Sequence, residues 1–290
     1  MTGVAAPRFT IVVPTRDRPR QLAACLAAVA ALRYPPEGFE TVVVVDGGER
    51  VRPEVARAAD RARARLVAQR ATGPATARNR GAEEARGEFL AFLDDDCAPE
   101  PDWLRELDAV LAALPGSGAG GRTVNALPGN RYASASQALI DYLYGYYNRG
   151  AATEPLFTSN NLALPRAGFR EVGGFNPRFT RAGGEDRELC LRWARTGRRI
   201  GYAPRAVVRH AHDLSLRRFL RQHFNYGRGA ARFHEIRESA PIPEPAAFYR
   251  ELILFPWRQG GRGRAGMSVL LTLSQAANAA GYAWEARRRD

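Results

Sequence analysis

A short apolar run that ends in three consecutive aspartates constrains this chain more than any other stretch. Residues 88–93 read EFLAFL, and Asp94, Asp95 and Asp96 follow at once. The run is typical of a buried strand, and such a strand accommodates adjacent aspartates only where a cation pairs with them. A solvated turn is the alternative, since aspartate also favours turns. We interpret the stretch as a site for Mg²⁺ or Mn²⁺, because hard cations prefer carboxylate oxygens.

The spacing around these aspartates excludes a calcium loop of the EF-hand type. Such a loop carries glycine at its sixth position and glutamate at its twelfth. Counted from Asp94, the chain has Pro99 and Arg105 at these positions. The aspartates therefore belong to the end of a strand and not to a helix–loop–helix calcium site.

Strand-like and helix-like segments alternate through the first part of the chain. Strands are predicted at 9–14, 41–45, 66–68 and 88–93, and helices over 21–32, 53–65, 74–85 and 103–114. This alternation predicts an α/β fold with a Rossmann-like, mostly parallel sheet flanked by helices. Ligands bind outside the carboxyl ends of such strands, where Thr15, Asp46 and Asp94 lie. No G-x-G-x-x-G follows the first strand, so we expect Asp46 and arginines to hold any nucleotide.

The second part of the chain is richer in glycine and tyrosine. The predicted elements are a flexible segment at 116–121, an edge strand at 122–124, an aromatic helix over 132–148, a polar-tipped strand at 158–164, short strands at 200–203 and 206–208, and a basic helix over 214–236. The tyrosines of the aromatic helix either line a sugar-acceptor groove or pack in the core. His210 follows the last short strand, whereas His223 and His234 on the basic helix are predicted to be structural or surface residues.

The net charge of +13 comes from arginine alone, because all 43 basic residues are arginines. The lack of lysine excludes Schiff-base chemistry and a P-loop. Arginine suits phosphate binding, so a basic nucleic-acid-binding protein is the alternative from another class. We find no RRM, zinc-finger or helix-turn-helix signature, and three aspartates at a sheet edge repel phosphate unless a metal intervenes. Nucleic acid is therefore not an expected partner.

The cysteines and the apolar segments bear on the cellular location. Cys25, Cys97 and Cys190 are widely spaced, which indicates reduced thiols in a cytosolic setting. The first nine residues contain no apolar signal-peptide region, and no stretch is long and apolar enough for a membrane span. We expect a cytoplasmic protein, with peripheral attachment to the inner face of the cell membrane as an option.

The last fifty residues differ from the rest of the chain. Residues 241–245 are rich in proline and predict a linker, and residues 267–286 predict a helix with one narrow polar face. Arginines flank this helix, among them Arg258, Arg262, Arg264 and Arg289. An apolar face between arginines fits an anionic membrane surface, which is the interpretation we favour. The alternative is packing on the catalytic domain or on a second subunit, as in a homodimer.

Four blocks in order resemble the family 2 glycosyltransferases of the GT-A fold. They are residues 13–16 (VPTR), 45–47 (VDG), 73–79 (GPATARN) with 93–96 (LDDD), and 184–186 (GED). The resemblance covers roughly residues 9–229. It implies a GT-A catalytic domain over 1–240, with a nucleotide-sugar half of about 1–115 and an acceptor half of about 116–240, followed by a linker and helical tail over 241–290.

The resemblance implies roles for residues on the nucleotide side. Pro14, Thr15 and Arg16 match the nucleotide-contacting loop after the first strand. Asp46 matches the aspartate that hydrogen-bonds the base, and Arg78 matches the arginine near the phosphates. The implied donor is a nucleotide-diphosphate sugar. The acceptor stays open between a glycan, a lipid-linked molecule and a small molecule, as in polysaccharide or glycoconjugate biosynthesis.

The aspartate cluster matches the D-x-D element of that family. Asp96 is the implied direct ligand of a divalent metal, and Asp94 or Asp95 lies nearer the ribose and the sugar. The pocket around Asn160 and Asn161 is expected to select the donor, and the 116–150 region to select the acceptor.

The second acidic pair matches the catalytic end of the site. Asp186 is the implied catalytic base of an inverting hexosyl transfer, and Glu185 is its neighbour on the acceptor side. Simple capping of a helix N-terminus is the alternative, because acids are favoured there. His210 is either a metal ligand or a core histidine, and His212 competes for the same match. An inactive scaffold of this family is a further alternative, against which intact Asp96 and Asp186 argue.

Overall fold

The computed structural model describes residues 6–48, 51–148, 154–237, 244–260 and 263–288. Its strands are β1 Phe9–Thr15, β2 Phe39–Asp46, β3 Arg65–Gln69, β4 Phe89–Phe92, β5 Cys97–Pro99, β6 Gly118–Asn125, β7 Leu162–Pro165 and β8 Ile200–His210. They form one eight-stranded sheet in the order β3-β2-β1-β4-β7-β6-β8-β5.

Helices cover both faces of this sheet. They are α1 Pro19–Ala30, α2 Pro53–Arg61, α3 Pro74–Glu84, α4 Trp103–Ala113, α5 Arg131–Tyr147, α6 Arg166–Glu171, α7 Glu185–Arg195, α8 Leu216–Ile236, α9 Ala246–Gln259 and α10 Arg264–Ala286. Short 3₁₀ turns lie at Pro36–Gly38 and Ser159–Asn161. The predicted α/β architecture with a helical C-terminal extension is confirmed, and the predicted helix bounds differ by a few residues.

The first half of the sheet is parallel, as the strand–helix alternation predicts. β1 lies between β2 and β4, and β2 pairs with β3. Side chains alternate along β1, so Ile11 and Val13 enter one core with α1 and α4, while Val12 enters the other with α3 and α7. Both faces are thus buried, which is why β1 is continuously apolar.

Strand β6 corrects the prediction of a flexible 116–121 segment followed by an edge strand. β6 lies inside the sheet, between β7 and β8, and its glycines are buried. A Cβ on Gly120 would lie 2.0 Å from the ring of Phe157, and one on Gly121 would lie 2.3 Å from Asn161 Oδ1. Glycine here marks the close approach of neighbouring groups to the strand, which sequence alone does not distinguish from flexibility.

Strand β8 joins the two short strands that the sequence predicts, and it shapes the site. It runs parallel to β6 with a register shift between Gly121 and Arg122, and it pairs antiparallel with β5. Cys97 is opposite His210 in this second pairing. Because Asp96 directly precedes β5, the pairing carries the aspartate cluster to the end of β8. The predicted strand at 158–164 is instead a 3₁₀ turn followed by β7.

The C-terminal helix α10 packs against α8 of the same chain. A Cβ on Gly281 would lie 1.9 Å from the carbonyl oxygen of Phe224, so the two helices touch through their backbones. Glu285 on α10 accepts hydrogen bonds from Arg228 Nε at 2.6 Å and from Arg232 Nη2 at 2.7 Å. One face of the tail is therefore buried on α8, and packing within the chain was the alternative to a membrane-bound tail.

Some predictions about the tail lie outside the described residues. These are most of the linker at 241–245 and the flanking residues Arg262 and Arg289. Within the ranges that the structure describes, no helix combines the length and apolar character needed to cross a bilayer. The division into a 1–240 domain and a 241–290 tail stays a prediction.

The close contact of α8 and α10 predicts that two glycine substitutions on α10 affect the stability of the protein differently. Gly281→Ala should lower the free energy of unfolding by about 1–3 kcal/mol, because the added methyl group overlaps the α8 backbone. Gly266→Ala, on the same helix but with nothing within 4 Å of its Cβ position, should leave stability equal or raise it by up to about 1 kcal/mol. Urea denaturation measures both. Equal effects of the two substitutions would contradict the packing described.

Candidate functional site

Acidic and hydroxyl groups meet where β1 and β4 end. Because these strands are parallel neighbours, Thr15 and the aspartates after β4 reach the same edge of the sheet. Thr15 Oγ1 donates a hydrogen bond of 2.7 Å to Asp95 Oδ2, and both side chains are buried. Burial raises the pKa of Asp95 to about 6, although the charge of Arg18 and the Thr15 hydrogen bond act in the opposite direction. The edge is therefore a partly desolvated acidic surface.

Arg18 is a site residue that the sequence reasoning missed. Its Nη1 contacts Asp95 Oδ1 at 3.2 Å and Asp96 Oδ2 at 2.9 Å. Asp17 has a φ of 54°, and this left-handed turn redirects the loop after β1 toward the aspartates. The Arg18 side chain remains 51% exposed, so it can also face a bound anion. The sequence did contain a signal for this contact. Arg18 follows β1, and the three aspartates follow β4, which is the parallel neighbour of β1.

Asp96 and His210 lie in contact, as the pairing of β5 with β8 requires. His210 Nε2 is 3.2 Å from Asp96 Oδ1, and the His212 ring stacks on His210 at 4.8 Å between centroids. Burial opposes ionisation of Asp96, but its hydrogen bond to His210 and the charges of His210 and Arg18 lower its pKa to about 2. Burial lowers the pKa of His212 to about 4. Asp96 is thus ionised and His212 neutral at pH 7.

The ligand atoms around Asp96 fit a divalent cation. Single ligand atoms of Asp96, Cys97 and His210 lie within 4.8 Å of one another. Carboxylate oxygen and imidazole nitrogen are suitable ligands for Mn²⁺, and carboxylate oxygen also for Mg²⁺. The thiol of Cys97 is a soft ligand that hard Mn²⁺ and Mg²⁺ do not favour, and burial also raises its pKa well above the usual value. Asp96 with His210 is the set that would hold the ion.

Arg78 connects the aspartate cluster with the acidic start of α7. Its Nη2 is 2.7 Å from Asp94 Oδ1 and its Nη1 is 3.4 Å from Glu185 Oε1. The guanidinium is buried, and its Nε has no hydrogen-bond partner among the described residues. Glu185 Oε2 also accepts a 2.6 Å hydrogen bond from the backbone N–H of Gly183. The predicted contact of Arg78 with phosphates stays a prediction, since two carboxylates already hold this side chain.

Asp186 has a buried carboxylate oxygen available for a ligand. Gly184, with a φ of 91°, ends the preceding loop and starts α7, which sets Asp186 in the first helical turn. Burial raises the pKa of Asp186, while the charge of Arg78 and hydrogen bonds from Ser159 act against this rise. Burial and the charge of Asp186 likewise raise the pKa of Glu185. Asp186 Oδ1 has no hydrogen-bond partner within the described ranges. A buried acceptor of this kind is suited to receive a proton.

Asp46 is buried and points into the protein. Its Oδ1 accepts hydrogen bonds from the N–H of Thr72 at 2.8 Å and from Gln69 Nε2 at 2.9 Å, and its Oδ2 accepts one from the N–H of Gly73 at 3.0 Å. These bonds hold the loop that leads into α3, which carries Arg78. The predicted contact of Asp46 with a base therefore stays a prediction, and the visible role is to position this loop.

The two neighbouring asparagines have different surroundings. Asn161 donates to the carbonyl groups of Arg122 and Ala206 and accepts from Trp103 Nε1, so its whole amide is used in holding the sheet together. Asn160 accepts a 2.7 Å hydrogen bond from Thr158. We keep only Asn160 in the expected donor pocket. Sequence reasoning missed Ser159, the residue just before them, which hydrogen-bonds Asp186.

The first predicted loop is only partly engaged in the described contacts. Pro14 is half-buried at the end of β1, opposite Val44 of β2. Arg16 is exposed and forms no ion pair among those found in the described chain. Its side chain lies beside Gly47, the residue after Asp46, with Cγ 3.8 Å from the Gly47 Cβ position. Arg16 is thus free to contact a ligand between the ends of β1 and β2.

Comparison with known proteins assigns the chain to one family. The family described as "Glycosyltransferase like family 2" matches residues 7–229. The pre-mycofactocin glycosyltransferase of Mycobacterium tuberculosis (strain H37Rv) is 29% identical over 248 residues, which are 79% of this chain and 48% of that protein. Glycosyltransferase AglE of Haloferax volcanii is 25% identical over 211 residues, 72% of this chain and 66% of that protein. The chain spans about half the length of the first of these relatives.

Solved structures share the fold. The mannosyltransferase PcManGT from Pyrobaculum calidifontis, in complex with GDP-Man and Mn²⁺, has a TM-score of 0.66 at 19% sequence identity. The match covers 99% of this chain and 89% of that protein. Staphylococcus aureus TarS matches with a TM-score of 0.55 at 15% identity, over 95% of this chain and 54% of that one. At these identities the likeness establishes the GT-A architecture.

The two ion pairs of Arg78 predict a pH-dependent loss of stability when this residue is replaced. Arg78→Met leaves Asp94 and Glu185 without their cation and should cost about 3–5 kcal/mol at about pH 8. Without Arg78, the already raised pKa of Glu185 rises further. A carboxyl group whose pKa is raised by folding favours the folded state at low pH and loses this contribution as the pH rises through the raised pKa. The deficit should therefore shrink toward about pH 5 in urea denaturation.

The matched control is Arg80→Met on the same helix. The Arg80 side chain is 44% exposed and its ion pairs within the described ranges are with Glu83 and Glu84 at the surface, so its loss should change stability by less than about 1 kcal/mol. A deficit for Arg78→Met that does not vary with pH, or that equals the control, would show that the buried ion pairs do not act as described.

Proposed function

Because the chain belongs to the glycosyltransferase-like family 2, we propose that it transfers a sugar from a nucleotide-diphosphate sugar to an acceptor hydroxyl, with inversion at the anomeric carbon. The observation that carries this proposal is the linked acidic site. Arg78 joins Asp94, at the end of the sheet, to Glu185, and the next residue, Asp186, presents a buried oxygen without a hydrogen bond among the described residues. A site that neutralises a leaving group thus lies beside one that accepts a proton.

The chain's own residues provide the proton transfer of a single displacement. The acceptor oxygen forms a bond to the anomeric carbon while the bond from that carbon to the diphosphate oxygen breaks. The leaving electron pair stays on the diphosphate, and the acceptor proton passes to Asp186. The raised pKa of Asp186 makes it a stronger base than an exposed aspartate, and general-base assistance contributes roughly 10²–10⁴-fold.

The donor is proposed to lie along the end of the sheet. Arg16 and Arg18 face this edge and suit the phosphates, and Asn160 is proposed to contact the sugar because Ser159, the residue before it, hydrogen-bonds Asp186. PcManGT, which shares the fold, was solved with GDP-Man and Mn²⁺. GDP-mannose and UDP-glucose are therefore the first donors to test.

Asp96 and His210 are the residues proposed to hold a divalent ion, Mn²⁺ or Mg²⁺. The acidic side chains of the site are Asp94, Asp95, Asp96, Glu185 and Asp186. Arg18, Arg78 and His210 are the cationic groups found beside them in the described chain, so the carboxylates outnumber their cationic partners. When bound, the ion neutralises charge on the diphosphate leaving group. Asp96, His210 and Arg18 orient the diphosphate end of the donor.

Removal of the metal tests this assignment. With GDP-mannose or UDP-glucose as donor, chelator should abolish wild-type transfer and Mn²⁺ should restore it. Asp96→Asn should remain inactive at saturating Mn²⁺, because the neutral amide is a much weaker ligand. Isothermal titration should show weaker Mn²⁺ binding for His210→Gln than for His212→Gln. Full wild-type activity in chelator, or normal activity of Asp96→Asn, would refute the metal assignment.

Replacement of Asp186 tests the catalytic base. Asp186→Asn should lower kcat by roughly 10²-fold or more, while affinity for the nucleoside diphosphate stays near normal. NMR of the product should show an inverted anomeric configuration in the wild type. The alternative of an inactive scaffold predicts no turnover in either protein. Loss of donor binding in Asp186→Asn, or a retained configuration, would contradict the role given to Asp186.

We also propose that the tail binds an anionic membrane surface through the face that α8 leaves free. Leu254 and Trp257 on α9 and Val269 and Leu273 on α10 are exposed, with Val269 58% exposed. Trp257 Nε1 bonds Ser268 Oγ at 3.0 Å, so the two helices present these residues as one patch. Arg258 follows Trp257 directly, and the Arg264 guanidinium lies 4.8 Å from the centre of the Trp257 ring, so two arginines border the patch. Apolar residues between cations fit the surface of an anionic bilayer, where each cation contributes about 1 kcal/mol.

Vesicle co-sedimentation tests the tail. The full chain should bind phosphatidylserine-containing vesicles, and binding should fall with salt because the charges are exposed. The triple variant Leu254→Ser, Trp257→Ser and Val269→Ser should lose most of the binding. Leu216→Ser, which changes an equally exposed leucine on α8, should bind like wild type. Equal binding to neutral phosphatidylcholine vesicles, or by the triple variant, would refute the membrane role.

A further inference from the structure

A groove of about 860 Å³ lies between the sheet and the tail, apart from the aspartate cluster. β6 and α5 form one side, and the end of α9 with the start of α10 forms the other. Its volume is in the range of pockets that bind small organic ligands, about 300–1,000 Å³. Much of its lining comes from the 116–150 region, which the resemblance implies to select the acceptor.

The groove combines aromatic rings with hydrogen-bonding groups. Tyr144 and Tyr202 line it from the sheet side and Phe255 from the tail. Gln137 reaches into it from α5, with its Nε2 bonded to the carbonyl of Thr123 at 2.8 Å and to Asp141 at 2.9 Å. Aromatic walls bind the apolar faces of a ligand, and amides with a carboxylate bind its hydroxyl groups.

The charges in the groove oppose each other. Burial raises the pKa of Asp141, and the positive charge of Arg122 acts against this rise, so the two side chains lie close enough to interact. Arg122 and Arg264 are the cations of the lining, and Asp141 is its acid. This mixture does not select a strongly charged ligand, and it suits a neutral molecule with many hydroxyl groups.

One wall of the groove connects to the proposed catalytic base. Tyr144 bonds Thr158 twice, hydroxyl to Oγ1 at 2.8 Å and hydroxyl oxygen to the backbone N–H at 2.8 Å. The residue after Thr158 is Ser159, which hydrogen-bonds Asp186. The negative charge of Asp186 also adds to the burial that raises the pKa of Tyr144. Tyr144, Thr158 and Ser159 therefore connect the wall of the groove to Asp186.

We infer that this groove binds the acceptor, and that the acceptor is a neutral saccharide or glycoside whose hydroxyl group is directed toward Asp186. The inference rests on the proposed function and names the substrate class of the same site. The saccharide could be free in solution or linked to a lipid, because the groove ends beside the exposed patch of the tail. Gln137, Asp141 and Tyr202 are its specificity-determining residues.

Chemical blocking of the groove tests this inference without disturbing the fold. Ala138 lines the groove, and Cys25, Cys97 and Cys190 are all buried. Ala138→Cys can therefore be labelled selectively with a bulky maleimide, and Ala112→Cys, exposed on α4, serves as the labelled control. Two rates are measured with GDP-mannose or UDP-glucose, namely donor hydrolysis by water and transfer to p-nitrophenyl glucosides and mannosides or to octyl glucoside in vesicles.

Labelling at position 138 should lower transfer at least about tenfold and change donor hydrolysis by less than about twofold, with no effect at position 112. Tyr202→Ala should raise KM for the glycoside without lowering kcat for hydrolysis, and Tyr202→Phe should restore KM. Either pattern of acceptor use agrees with the inference. Transfer to glycosides in solution would indicate a free saccharide, and transfer only to those in vesicles would indicate a lipid-linked one.

The failure of each proposal gives a different result. If the wild type hydrolyses no nucleotide sugar, the proposed function fails. If hydrolysis proceeds but the labelled Ala138→Cys protein transfers at the unlabelled rate, the groove is not the acceptor site. If hydrolysis proceeds and no glycoside in the panel accepts a sugar from the wild type, the saccharide class is wrong.

Discussion

The pairing of Arg78 with Asp94 and Glu185 is the interaction on which the site depends. Carboxylates from two distant parts of the chain converge here, and burial opposes the ionisation of several of them. A buried arginine between them reduces their repulsion at the cost of its own desolvation. The remaining excess of negative charge attracts a further cation, which is the physical basis for the proposed metal site.

The sheet topology brings these groups together. Asp94 follows a parallel strand in the middle of the sheet, but His210 lies at the end of β8, far along the chain. The short antiparallel pairing of β5 with β8 is what places Asp96 beside His210. The tight packing around β6 has a similar role, because Asn161 holds its bulge through hydrogen bonds to the carbonyl groups of Arg122 and Ala206.

The tail is part of this arrangement. Arg232 of α8 connects the tail to the loop that precedes α7. It donates hydrogen bonds to Glu285 of α10 and to the carbonyl group of Arg178 in that loop. One face of the tail thus supports the loop before α7, and its other face borders the groove and carries the exposed apolar patch. The proposals for acceptor and membrane therefore concern the same part of the molecule.

The sequence by itself determined the α/β architecture, the aspartates at a strand end and the acidic pair at the start of a helix, because hydrophobic periodicity and helix-start signals are local. It did not determine the place of Gly120 inside the sheet, the contact of Arg18 with Asp96, or the packing of α10 on α8. These features depend on which strands and helices become neighbours, and long-range pairing leaves no local pattern. Only the tertiary structure decided that Asn161 and Asp46 are held by protein groups while one oxygen of Asp186 has no hydrogen bond among the described residues.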